Sequence, residues 1–239
     1  MQVNSRGTRG ILITFEGTEG AGKSTLIQSV SRSLGQLLGS THPVVVTREP
    51  GGTPVAERIR GTILDEAMDP WTELFLYEAA RAEHLAQTVR PALLKGQVVL
   101  CDRFTDSTLA YQSMARGLPW KEVSALNHTA TRGIKPDLTV WLDIDPAVGL
   151  KRAKVRTRFE AEGVAFQTQV RRGFLKARRL EPKRWLTLQA MSGTPEELAA
   201  AVVARLVKSK LLKTGEDRTK RRPKKTKAAA RSKTRLSRG

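Results

Sequence analysis

Cysteine is nearly missing from this chain. Cys101 is the only one in 239 residues, so no internal disulfide can form, and a reducing compartment suits the composition. The three histidines, His42, His84 and His128, show no metal-ligand spacing, and no Cys/His cluster stands in the sequence. No apolar run approaches the roughly 18 residues expected of a membrane span. Met1–Gly10 is polar, which predicts no secretory leader and a cytoplasmic protein. Negative charge is scarce as well, with 23 acidic residues against 42 basic ones and a formal charge of +19.

The positive surplus is uneven. From Lys213 to Gly239, six Lys and six Arg face only Glu216 and Asp217. This segment has one large apolar residue, Leu236, and no periodicity, which predicts a disordered basic tail. Such a tail either touches nucleic acid or another polyanion loosely, or is a solvated extension without a role in catalysis. Nucleic acid enters the reading only through this tail. The surplus in the rest of the chain suits a protein whose substrates are phosphates.

What is present is concentrated in Gly17-Thr18-Glu19-Gly20-Ala21-Gly22-Lys23-Ser24. This is the G-x-x-x-x-G-K-[ST] pattern of a phosphate-binding loop. Its glycines let successive backbone N–H groups turn toward phosphate oxygens. Lys23 reaches the terminal phosphates, Ser24 offers a hydroxyl to Mg²⁺, and the helix that continues through Thr25 adds the positive end of its dipole. Ile11–Phe15 before it reads as a buried strand, and Leu26, Ile27, Val30, Leu34 and Leu37 after it fall at helical spacing.

Short apolar runs alternate with helical patterns along the chain. The strands expected are Ile11–Phe15, Val44–Thr47, Val98–Cys101, Leu138–Leu142 and Trp185–Leu188. The helices expected are Lys23–Leu38, Pro54–Asp65, Trp71–Leu94, Asp106–Met114, Trp120–Ala130, Pro146–Arg156, Val164–Leu180 and Pro195–Leu212. This alternation predicts an α/β chain with a five-stranded parallel sheet and helices on both faces, and with the phosphate-binding loop after the first strand it reads as the P-loop NTPase fold. The organisation expected is an N-terminal extension over 1–10, one domain over 10–212 and the basic tail over 213–239.

Active sites in such sheets lie beyond the carboxyl ends of the strands. Strand two runs into Thr47-Arg48-Glu49-Pro50-Gly51-Gly52-Thr53, where Arg48 can present a guanidinium fork to a phosphate. Strand three closes on Asp102-Arg103; the carboxylate suits Mg²⁺, and Arg103 is a second phosphate clamp. Cys101 reads as a small buried strand residue. Tyr77 and Arg81 lie four apart on one helix face, either as a plane and a donor for a flat base or as a core residue and a surface partner. Lys151-Arg-Ala-Lys-Val-Arg-Thr-Arg158 is either a solvated basic face or a lid, placed around 151–163, that covers a transferring phosphate.

Taken in order, these motifs resemble the bacterial thymidylate kinases, P-loop nucleoside monophosphate kinases. The likeness rests on Phe15–Ser24, Thr47–Thr53, Asp102-Arg103-Phe104 with Ser107 and Ala110-Tyr111-Gln112, Pro136-Asp137-Leu138, and Arg158-Phe159-Glu160 with Phe166, and it spans roughly Gly10 to Leu212. It implies transfer of the γ-phosphoryl of ATP to thymidine 5′-monophosphate (dTMP) with Mg²⁺, in the supply of dTTP, and a homodimer. It implies that Arg48 and Arg103 grip the acceptor phosphate, Asp102 and Ser24 serve Mg²⁺, and Glu19 contacts the acceptor's sugar end or positions groups near the phosphate. It further implies that Tyr77 lies over the base, Arg81 hydrogen-bonds it, Ser107, Thr108 and Gln112 belong to its pocket, and Tyr111 crowds the sugar 2′ position. A P-loop without arginine beside a basic lid resembles the subgroup whose lid supplies a transition-state cation, here Arg152, Arg156 or Arg158, with Arg158 favoured. Thr157 stands where many members have Asp, and the tail lies outside the family pattern. Two other readings compete: a P-loop kinase of another nucleotide or nucleoside, and a nucleotide-dependent nucleic-acid-binding protein that uses the tail.

Overall fold

The computed structural model describes residues 9–39, 43–153 and 158–212. Five strands, β1 (Ile11–Glu16), β2 (Val44–Arg48), β3 (Val98–Asp102), β4 (Leu138–Asp143) and β5 (Trp185–Gln189), form one sheet in the order β2-β3-β1-β4-β5. Every pairing is parallel. Helices lie between the strands and after the last one: α1 (Lys23–Leu38), α2 (Pro54–Asp65), α3 (Pro70–His84), α4 (Arg90–Leu94), α5 (Thr105–Thr108), α6 (Trp120–Thr131), α7 (Pro146–Arg152), α8 (Arg158–Ala161) and α9 (Gly163–Leu180), with α10 (Pro195–Lys208) following β5.

The two-residue period of the central strand sorts the core. Ile13 and Phe15 of β1 join Leu26, Val30 and Leu34 of α1 and Val202 and Leu206 of α10 on one face. Leu12 points to the other face, against Leu85, Val89, Leu93 and Val99. Trp141 of β4, with Phe174 of α9 and Tyr111, builds the core beneath the same face further along. A helical layer thus covers each side of the sheet, as the alternating pattern predicts.

Four helices begin in the same way. Thr53, Asp69, Asp145 and Thr194 each cap a helix with a side-chain oxygen, and Pro follows at the first helical position. The cap satisfies exposed N–H groups, while proline loses nothing there because its missing N–H would have no helical partner. Thr194 and Glu197 complete a reciprocal capping box.

The structure departs from the expected boundaries in consistent ways. Each strand runs one residue further than its apolar pattern, to Glu16, Arg48, Asp102, Asp143 and Gln189. The backbone stays paired after the side chains turn polar: Arg48 is opposite Asp102, which is opposite Phe15. The helix expected over Trp71–Leu94 is α3 and α4 joined by a widened π segment, Leu85–Val89. Pro91 follows that segment, where its ring would meet the carbonyl four residues back in a regular helix. The helix expected over Asp106–Met114 is α5 followed by a second π segment, Leu109–Ala115. The helix expected to Arg156 ends at Arg152, and the one expected to Leu212 ends at Lys208, with Lys210 at φ 58°. Arg156, the extension 1–8 and the tail from 213 lie outside the described residues.

Candidate active site

The carboxyl ends of β1, β2 and β3 open onto two pockets that share a wall. The larger, about 1080 Å³, is lined by Glu19 to Thr25 of the loop, Arg48, Asp102, Arg103, Arg152 and Ala153. The other, about 640 Å³, is lined by Tyr77, Arg81, Phe104, Ser107, Thr108, Tyr111, Gln112, Leu64 and Phe159. Glu19, Glu49, Arg60 and Arg103 line both.

The first pocket is a phosphate cradle. Gly17, Gly20 and Gly22 take positive φ angles of 149°, 70° and 92°, a conformation side-chain-bearing residues rarely adopt. Gly20 also tolerates no side chain for steric reasons: a Cβ there would sit 2.0 Å from the Gly149 carbonyl oxygen. That close approach seats α7 on the loop and brings Arg152, at its end, to the pocket rim. Lys23 is buried and donates to the carbonyls of Gly17 and Thr18, each at 3.2 Å. Burial and the neighbouring Arg103 hold its pKa below the ordinary lysine value.

Ser24 Oγ donates to Asp102 Oδ2 at 3.1 Å. Asp102 Oδ1 is buried and has no hydrogen-bond partner among the described residues. A hydroxyl beside an unsatisfied carboxylate oxygen is the hard-oxygen donor set that Mg²⁺ prefers, so these two residues fit that ion.

Arg103 ties the pockets together. It stands at φ 67°, a left-handed conformation uncommon for residues other than glycine. Its Nη1 donates to the Gly17 carbonyl at 3.0 Å and to Ser107 Oγ at 3.3 Å, and its Nη2 to Glu19 Oε1. The guanidinium lies 5.0 Å from the centre of the Tyr111 ring. Tyr111 Oη donates to the same Glu19 oxygen at 2.9 Å. Burial alone would raise the Glu19 carboxyl, but Arg103 and Lys23 outweigh it, and its pKa lies below the ordinary value. Arg48 reaches Glu57 at 2.8 Å and leaves half of its side chain exposed at the cradle's mouth.

Arg81 sits at the floor of the second pocket, 2% exposed. Its Nε donates to Glu49 at 2.8 Å, Nη1 to Asn127 at 2.7 Å with Glu78 at 2.9 Å, and Nη2 to Thr108 at 2.9 Å. Thr108 lines the pocket yet spends its hydroxyl on Arg81. Ser107 donates to Glu16 at 2.5 Å, and Gln112 donates to Glu73 at 2.7 Å. Glu16 is fully buried, and burial together with Asp106 pushes its pKa up to about 8.

The sequence-expected residues therefore divide. Glu19, the loop from Gly20 to Thr25, Arg48, Tyr77, Arg81, Asp102, Arg103, Ser107, Thr108, Tyr111, Gln112 and Arg152 meet around the two pockets. Gly17 and Thr18 serve the cradle through their carbonyls. Arg158 stands apart from the cradle lining. Its Nε donates to the Ile63 carbonyl at 2.6 Å, and its Nη2 meets Glu73 at 2.6 Å. Residues 154–157 of the expected lid lie outside the described residues. Sequence reasoning missed Glu49, Arg60, Glu73, His84 and Asn127 as parts of the site. Glu49 stood inside a quoted motif; the other four sit on helices, where spacing alone does not separate them from ordinary surface or core residues.

Comparison with known proteins agrees with this geometry. The family model described as thymidylate kinase matches residues 15–202. The thymidylate kinase of Geotalea uraniireducens is 48% identical over 212 residues, covering 82% of this chain and 98% of its own. That of Pseudomonas fluorescens is 49% identical over 187 residues, covering 76% and 88%. Among solved structures, the thymidylate kinase of Ehrlichia chaffeensis superposes with a TM-score of 0.68 at 30% identity, covering 82% of this chain and 99% of that one. No helix of the described residues is long and apolar enough to cross a membrane. With the phosphate cradle, the adjoining aromatic–guanidinium pocket and relatives matched along nearly their whole length, the chain belongs to the thymidylate kinase family.

Proposed function

We propose that this chain transfers the γ-phosphoryl group of ATP to dTMP, forming thymidine diphosphate and ADP. One observation carries the reading: a P-loop cradle and a flat-base pocket share the wall formed by Arg103 and Glu19. A phosphate oxygen of the acceptor in the second pocket then faces a triphosphate in the first. In the reaction that oxygen bonds to the γ-phosphorus, and the bond from the γ-phosphorus to the β–γ bridging oxygen breaks, leaving ADP.

Ser24 and Asp102 would hold Mg²⁺, which when bound would supply charge neutralisation on the triphosphate. Lys23 exchanges its two carbonyl contacts for phosphate oxygens. Arg103, with Arg48 at the mouth, grips the acceptor phosphate, and Arg60, which lines both pockets, adds a third cation there. No strong general base is required, because a loose phosphoryl-transfer transition state leaves positioning and charge stabilisation as the main tasks. Tyr111 and Glu19 meet at the sugar end of the acceptor, and Tyr77 and Phe104 flank the base. Arg152, at the rim of the cradle, is the lid cation best placed for the transferring group. Arg158 supports the acceptor pocket through Glu73.

The test is label transfer. With γ-labelled ATP, Mg²⁺ and dTMP, the label is expected in thymidine diphosphate, matched by an equal amount of ADP. Label released only as inorganic phosphate, whether or not dTMP is present, would overturn the reading.

A further inference from the structure

Thr47, Glu49, His84 and Arg81 form one buried chain of hydrogen bonds behind the base pocket. Thr47 Oγ1 lies 2.7 Å from His84 Nε2, His84 Nδ1 lies 2.9 Å from Glu49 Oε1, and Arg81 Nε donates to Glu49 Oε2 at 2.8 Å. His84 is 0% exposed and Glu49 4%. Both Glu49 oxygens are thereby occupied, one by the imidazole and one by the guanidinium. Cys101 Sγ lies near this pair, but it already contacts the Arg103 carbonyl at 3.1 Å, and a guanidinium on the shared carboxylate disfavours a cation.

The chain fixes a donor. Of the five N–H groups on Arg81, three donate to Glu49, Asn127 and Thr108, and the Glu78 carboxylate lies 2.9 Å from Nη1 as an ion pair. One N–H on Nη2 remains for the pocket that Arg81 lines. Burial lifts Glu78, whereas at Glu49 the Arg81 and His84 interactions outweigh burial and hold the carboxyl down. Glu49, which accepts the Nε hydrogen bond at 2.8 Å, is therefore the carboxylate that sets the plane of the guanidinium. Gly52 leaves room for the arrangement: at φ 82° it sits where a Cβ would come within 2.6 Å of both the His84 ring and Thr47 Oγ1.

We infer that Glu49 and His84 are positioning residues for base recognition, holding Arg81 so that its free N–H meets a ring carbonyl oxygen of the acceptor base rather than an amino group. This rests on the reading of Arg81 as the group that hydrogen-bonds the base. A base carrying an amino group at that place offers a donor to a donor and is rejected; a loosened Arg81 rejects it less.

The experiment compares kcat/KM for dTMP and for deoxycytidine monophosphate in the full chain. His84→Leu and Glu49→Gln are expected to reduce the thymine preference at least about tenfold, mostly through KM for dTMP; in His84→Leu, a residue that lines neither pocket, KM for ATP is expected to move less than about twofold. His84→Asn restores a nitrogen at the Nδ1 place and is expected to recover most of the preference. Thr47→Val, which keeps volume and removes only the outer link, gives a smaller change in the same direction and serves where His84→Leu does not fold. Preference unchanged in these variants while Arg81→Lys abolishes it would overturn the positioning role alone. Preference unchanged in Arg81→Lys as well would overturn the base-contact reading beneath it.

Discussion

At the scale of single residues, the site is a set of buried charges that hold one another. Glu16 has the most measurable consequence. Its folded pKa of about 8 lies above the ordinary 4.5, because burial and Asp106 oppose ionisation. Between those values the folded state keeps a proton that the unfolded state releases, so this group's contribution to stability falls as pH rises from about 4.5 to 8. Glu16→Gln has no proton to lose. Thermal midpoints measured from pH 5 to 8.5 are expected to decline with pH less in the variant than in the parent; parallel declines would contradict the assignment. The two lid arginines also separate. Arg152→Ala is expected to lower kcat at least about a hundredfold, the usual loss for a transition-state cation. Arg158→Ala, whose partner Glu73 is buried, is expected to lower the melting temperature and raise KM for dTMP more than it lowers kcat. Steady-state kinetics on both variants decides, and the reverse pattern would return the cation to Arg158.

At the scale of elements, backbone approach sets the positions. The π segment Leu109–Ala115 carries Tyr111 and Gln112 and packs along α9, where a Cβ on Gly173 would lie 2.5 Å from Ala110 Cα. Backbone cannot yield as a flexible side chain can, so Gly173→Ala is expected to destabilise the chain by about 1–3 kcal/mol, read by denaturant titration. A change below about 0.5 kcal/mol would show that α9 shifts freely. This scale also shows what the sequence carried. The P-loop, the five strands and three of the four helix starts at proline (Pro54, Pro146 and Pro195) were legible because each rests on local chemistry: φ freedom, apolar alternation and the fixed φ of proline; the fourth, at Pro70, was expected one residue later, at Trp71. The π segments were not, since a widened turn keeps nearly the same apolar spacing. Arg81 was ambiguous for a similar reason: four apart from Tyr77 says they share a face, but not that Glu49, from a distant strand end, turns that guanidinium. Glu73 and Asn127 were illegible because their partners lie 39 and 46 residues away.

At the scale of the whole molecule, the pockets, the sheet and both helical layers all lie within residues 9–212. The basic segment Lys213–Gly239 adds twelve cations to a chain whose formal charge is +19. Deleting it is expected to leave kcat and KM within about twofold at physiological salt, because the residues that line the two pockets all belong to the described part of the chain. Loss of turnover on deletion would favour a role for the segment in binding a polyanion.

The central claim is the pairing of a triphosphate cradle with a thymine pocket. Its most direct test is the rate of ADP formation with ATP and Mg²⁺ across a panel of nucleoside monophosphates. The arrangement of Tyr77, Arg81, Tyr111 and Glu19 predicts a strong preference for dTMP, with a thymidine acceptor favoured over both its ribose and its cytosine counterparts. Equal rates across the panel, or ADP formation that ignores the acceptor, would contradict it.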